Sequence, residues 1–196
     1  MRAKRKLRLG FKIRIGILII LAASGLSAAI WYSAAVNSIK KELAPQEAVI
    51  GSGNNQALLI YQPSNADAVS SATVSAKTVI ANTLADRGYT VTVNYPSAKL
   101  DYDLKDYDII IFGSPVYSGS LSPVLKEYVE NNPVTGKNIL IFVTGMHPED
   151  GKEHEDMKTW VNEENLVEAI KTSEDENNRL TSFITQALES WEESVK

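Results

Sequence analysis

The chain has 196 residues, with 20 Lys or Arg, 24 Asp or Glu, 44% apolar residues, no cysteine and two histidines. These figures exclude a disulfide scaffold, a thiol enzyme, a thiolate metal site and a wholly disordered polymer, and they allow one ordinary domain with an appendage. The net charge of −4 joins two unlike parts: seven basic and no acidic residues in the first 14 positions give +7, while 13 basic against 24 acidic residues from position 37 onward give −11.

The basic leader, 1–14, carries Arg2, Lys4, Arg5, Lys6, Arg8, Lys12 and Arg14, and it precedes a charge-free run of 22 residues over 15–36. At about 1.5 Å per residue a helix of that length covers roughly 33 Å, against a hydrocarbon core of about 30 Å. Trp31 and Tyr32 stand toward its far end, where amphipathic rings suit the headgroup region. The pattern predicts a single-pass transmembrane anchor in a cell membrane, with a cytoplasmic N-terminus whose cations meet anionic headgroups, and an extracytoplasmic remainder. Cleavage near Ser33, Ala34 and Ala35 followed by secretion is the alternative, although a signal h-region runs about 7–15 residues. Residues 37–56 read as a linker, in which Pro45 interrupts any helix and GSGNNQ is a flexible tether.

The domain proper is expected over 57–196. ALLIYQ (57–62) is a short apolar run, 70–87 carries helical spacing that Gly88 stops, and YTVTVNY (89–95) alternates with β-branched residues. YDIIIFG (107–113), a helix over about 120–131, and NILIFVT (138–144) follow. A helix over about 153–161, the strand candidate LVEAIKT (166–172) and an amphipathic helix over about 177–193 complete the series. Continuous apolar strands suit a sheet covered on both faces. Five such strands alternating with helices predict an α/β fold with a doubly wound five-stranded parallel sheet, the crossover over 96–106 being abbreviated. Ligands of such folds bind outside the carboxyl ends of the strands.

Three segments follow those ends. In PSNADAVSSAT (63–73), Ser70 or Ser71 near a helix start either caps the helix or joins free backbone amides in binding phosphate. Asp67 would oppose an anion if it pointed inward. In GSPVYSGSLSP (113–123), Gly113 and Pro115 are expected to force a turn that projects Tyr117 at the sheet edge, either to stack on a planar ring or to cover the sheet end. Ser122 and Pro123 look like a second helix start. TGMHPEDGKEHED (144–156) offers Gly145 for close approach and Met146 or His147 as walls. Its dense carboxylates beside His147 and His154 read as a solvated surface, so no metal site is expected. No Gly-x-Ser-x-Gly elbow occurs, no catalytic residue stands out, and the acidic charge disfavours nucleic acid.

Together these elements resemble the flavodoxin family from Ala57 to the C-terminal helix. YDIIIFGSPVYSGSLSPVLKEYVE (107–130) is similar to the third strand, flavin-facing loop and next helix, IFVTGM (141–146) to the fourth strand and loop, and 61–93 to the first strand, phosphate loop and helix. The resemblance implies FMN as cofactor. It places the phosphate on Ser70, Ser71 and Thr73 with Ser64 of the preceding loop, and the ring on Tyr117 among Pro115, Val116, Ser118 and Gly119, bordered by Thr144, Gly145 and Met146. An electron carrier with an unidentified redox partner protein is the expected function, rather than an enzyme with its own substrate. A cofactor-free interaction module and a flavin-dependent reductase of a quinone or other small oxidant are the alternatives.

Overall fold

A computed structural model describes residues 24, 26, 27, 29, 30, 32–34, 37, 40–63, 67–117, 119–147 and 151–194, without the side chains of 67–71. The chain divides into two compact units, Met1–Asn37 and Ser38–Lys196. In the first, the described residues are helical and exposed, Leu26, Ile30 and Tyr32 among them. Most of the charge-free run lies outside the described residues, and no helix among those described is long and apolar enough to cross a membrane.

The second unit is built on a six-stranded sheet: β1 (Ala48–Ile50), β2 (Asn55–Tyr61), β3 (Tyr89–Asn94), β4 (Ile109–Pro115), β5 (Asn138–Thr144) and β6 (Leu166–Thr172), in the order β1-β3-β2-β4-β5-β6. The helices are α1 (Asp67–Asp86), α2 (Pro123–Asn131), α3 (Glu153–Lys158) and α4 (Asn177–Ser194), and a single 3-10 turn, Leu104–Asp106, stands where a β3-to-β4 crossover helix would be. All pairs from β3 to β6 are parallel. The order reverses between β2 and β4, which makes their carboxyl ends the topological switch point.

Both faces of the sheet are covered, as the unbroken apolar strands require. Ala57, Leu59 and Tyr61 face α1 and α4, joining Ile80, Leu84, Ile184 and Trp191; Leu58 and Ile60 face the other side, joining Leu125, Val129 and Met157. Successive residues of one strand therefore feed two cores, which is why no polar alternation is visible in β2, β4 or β5.

The sixth strand corrects the predicted count of five. β1 pairs antiparallel with β3, Ala48 opposite Val93 and Ile50 opposite Val91, within the stretch read as a linker. Asn94 fixes it: its Oδ1 accepts from the backbone N–H of Gln46 at 2.7 Å and of Tyr95 at 2.9 Å, and its Nδ2 donates to Tyr102 Oη at 2.8 Å. GSGNNQ is likewise tied down, since Thr90 Oγ1 donates to Gly53 O at 2.8 Å. Upstream, Gln62 Nε2 donates to Lys41 O at 3.2 Å, and Glu42 Oε1 accepts from Ser97 Oγ at 2.6 Å and Ala98 N at 3.2 Å. These two donors hold the Glu42 carboxyl below its usual range. Three mostly exposed residues give no periodicity for a strand prediction to use.

Candidate functional site at the carboxyl edge of the sheet

β4 runs two residues past the predicted turn. Gly113 lies inside the strand, where the Phe142 ring fills the space that a Cβ at this position would need. The turn begins instead after Pro115, opposite Thr144. Val116 N donates to Thr144 O at 2.8 Å, and Tyr117 and Ser120 exchange backbone hydrogen bonds of 3.0 and 2.9 Å around Gly119, whose φ is +73°. Ser114 then closes the loop on itself: its Oγ accepts from Ser122 N at 2.9 Å and donates to Pro115 O at 2.9 Å. Ser122 Oγ caps α2 by accepting from Leu125 N at 3.2 Å, with Pro123 in the first turn. Tyr117, just past the end of β4, is only 9% exposed, so its ring is covered rather than standing free at the edge. Ser118 lies outside the described residues.

On the side where phosphate is expected, α1 begins at Asp67, three residues before the predicted start. Its unpaired first-turn amides therefore belong to residues 67–69, and Ser70 and Ser71 follow them inside the helix. The side chains of Ser70 and Ser71, and the whole of Ser64, lie outside the described residues. Thr73 is fully buried, and its Oγ1 stands 2.6 Å from Thr144 Oγ1. Two candidate residues from different segments thus meet, but through each other.

Thr144, Gly145 and Met146 leave β5 in sequence, with Gly145 N donating to Thr172 O at 3.1 Å. Met146 is 80% exposed, Val116 is half-buried and Gly145 has no side chain between them. This apolar step beside the switch point is the kind of surface a planar ring covers, and the ring side of the site fits a flavin on that ground.

The sequence reading missed three groups. Gln62, fully buried after β2, donates its backbone N–H to Gly113 O at 2.9 Å. Tyr61 and Tyr95 meet edge to face at 5.4 Å, and burial first, then the neighbouring Tyr95, pushes the Tyr61 phenol pKa up. Lys171 Nζ reaches Glu153 Oε2 at 2.9 Å. Each lies within or beside a recognised strand, but its partner is far along the chain, so no local spacing reveals it.

An open, doubly wound sheet with its loops gathered at a switch point defines the class of nucleotide- and flavin-type α/β domains. Within it, the family model described as Flavodoxin domain matches residues 72–174, and the chain belongs to that family. No curated protein matches it by sequence. Among solved structures, the chain is similar to a flavodoxin from Streptococcus pneumoniae TIGR4, at 19% identity over 69% of this chain and 99% of that one, with a TM-score of 0.51. It is also similar to an NADH:FMN oxidoreductase in its apo form, at 18% identity over 70% and 90%, TM-score 0.52. A third, the rubredoxin oxygen:oxidoreductase from Desulfovibrio gigas, aligns at 14% identity over 73% of this chain and 37% of that larger one, TM-score 0.51. At these identities the likeness is one of fold.

Proposed function

We propose that this protein binds FMN noncovalently at the switch point between β2 and β4 and works as a membrane-tethered, extracytoplasmic electron carrier. The observation that carries the reading is the step of half-buried Val116, Gly145 and exposed Met146, among the described residues, at the carboxyl edge of a flavodoxin-family sheet. Val116, Tyr117, Gly119, Gly145 and Met146 would border the ring, and the amides opening α1 would meet the phosphate with Ser64, Ser70 and Ser71. FMN, when bound, supplies the redox chemistry; the chain's task is to hold it, exclude water and set the local charge. The −11 carried from position 37 onward disfavours added negative charge at the site and steers a basic redox partner toward it. The charge-free run 15–36 supplies the tether to the bilayer.

A specific observation favours a second reading, a flavodoxin-fold interaction module without cofactor: the Thr73 hydroxyl is spent on Thr144 and Tyr117 is already covered. Titrating the full chain, purified in detergent, with FMN separates the two. Quenched flavin fluorescence with saturation supports the carrier, and unquenched fluorescence throughout leaves the module.

A further inference from the structure

One ion pair stands beside both described ends, 145–147 and 151–152, of one carboxyl-edge loop. Lys171, near the end of β6, is 6% exposed, and its Nζ donates at 2.9 Å to Oε2 of Glu153, the first residue of α3. Burial works to raise the Glu153 carboxyl, and the Lys171 ammonium together with Glu153's own backbone N–H and the neighbouring His154 leaves the group below the usual carboxylate range. A lysine buried to this degree needs such a partner.

Two glycines mark where the pair sits. A Cβ at Gly145, the residue leaving β5, would lie 3.4 Å from Lys171 Cε. A Cβ at Gly151, whose φ is +90°, would overlap the Glu153 carboxylate. The lysine stem thus lies under the exit from the strand, and the carboxylate folds back against the approach to α3. Gly145 N is tied to β6 as well, through Thr172 O.

We propose that Lys171 and Glu153 form a positioning pair that preorganises Gly145 and Met146 to receive a planar ring. This inference rests on the FMN reading. Neither residue is assigned to the ring; both act through the backbone at 145 and 151. Order already present in the free protein is order that binding does not have to impose, so the pair raises affinity without adding a contact.

The test is hydrogen exchange on the full chain in detergent, without FMN, followed by FMN titration. Lys171→Met should speed exchange at 145–147 and 151–153 about tenfold or more, leave the amides of β2 and β5 protected, and weaken FMN about tenfold; Lys171→Arg should recover most of both. Wild-type exchange in Lys171→Met overturns the proposal, and so does faster loop exchange with unchanged FMN affinity. Should Lys171→Met lose protection throughout the sheet, the double variant Lys171→Met/Glu153→Leu, which buries no lone charge, decides in the same way. A wild-type protein that binds no FMN removes the carrier reading, while the exchange comparison still tests the ion pair.

Discussion

Thr73 and Thr144 are each fully buried, and their hydroxyls satisfy one another at 2.6 Å across the boundary between α1 and β5. Removing one member leaves the other's polar atom buried alone, which costs about 1–3 kcal/mol, whereas replacing both by apolar isosteres is close to neutral. Thr73→Val should therefore destabilise the domain by about that amount in urea unfolding, and Thr73→Val/Thr144→Val should recover most of it; an additive double variant would show that the pair is not coupled. At the same scale, Tyr117 is a residue we propose to border the flavin. A ring at 9% exposure is part of the packing before it is part of a site. Tyr117→Ala should weaken FMN in fluorescence titration and also lower the thermal midpoint of the free protein, and an affinity equal to wild type would remove Tyr117 from the site.

The elements were legible where burial is two-sided and illegible where pairing is remote. β5 occupies the predicted 138–144 because covering both faces demands the unbroken apolar run that marks a buried strand, whereas β6, at the sheet edge, occupies the predicted 166–172 with Leu166 exposed and Glu168 and Lys171 interrupting its apolar residues. β1 escaped because it is short and mostly exposed, and its partners lie far along the chain: the β3 ladder over 91–93 and Asn94, which accepts from Gln46 N just before the strand. Asn94→Ala should free that edge, with faster hydrogen exchange over 46–50 and a loss of about 1–3 kcal/mol, since Gln46 N and Tyr95 N lose their shared acceptor. Unchanged exchange at Gln46 would show that the β1–β3 ladder holds without it. The loop at the switch point was half legible. Ser122 and Pro123 read correctly as a helix start, but nothing local announces that Ser114 would accept from Ser122 N and close the intervening turn.

At the scale of the whole molecule, acid stability and topology follow from where the charge sits. Glu42, Glu153 and Glu176 all have lowered carboxyl pKa values; for Glu176, burial acts upward and the Arg179 guanidinium at 2.8 Å together with the Ser173 donors overrides it. The unfolded chain, with glutamate near about 4.3, takes up protons first as pH falls. Their contribution is therefore complete above that value and lost as pH drops through the lower folded values, so the thermal midpoint should fall between about pH 5 and pH 3, less steeply in Glu176→Gln. The +7 leader, the uncharged run and the −11 remainder make the corresponding argument for topology. Because the chain has no cysteine, one introduced thiol is a unique reporter. Ser52 is exposed beside β1, so Ser52→Cys should react with a membrane-impermeant maleimide in intact cells, while Ala3→Cys in the leader should react only after lysis. The reverse pattern would place the domain on the cytoplasmic side, and labelled protein in the medium, shorter by roughly the leader and the apolar run, would identify a cleaved signal peptide in place of an anchor.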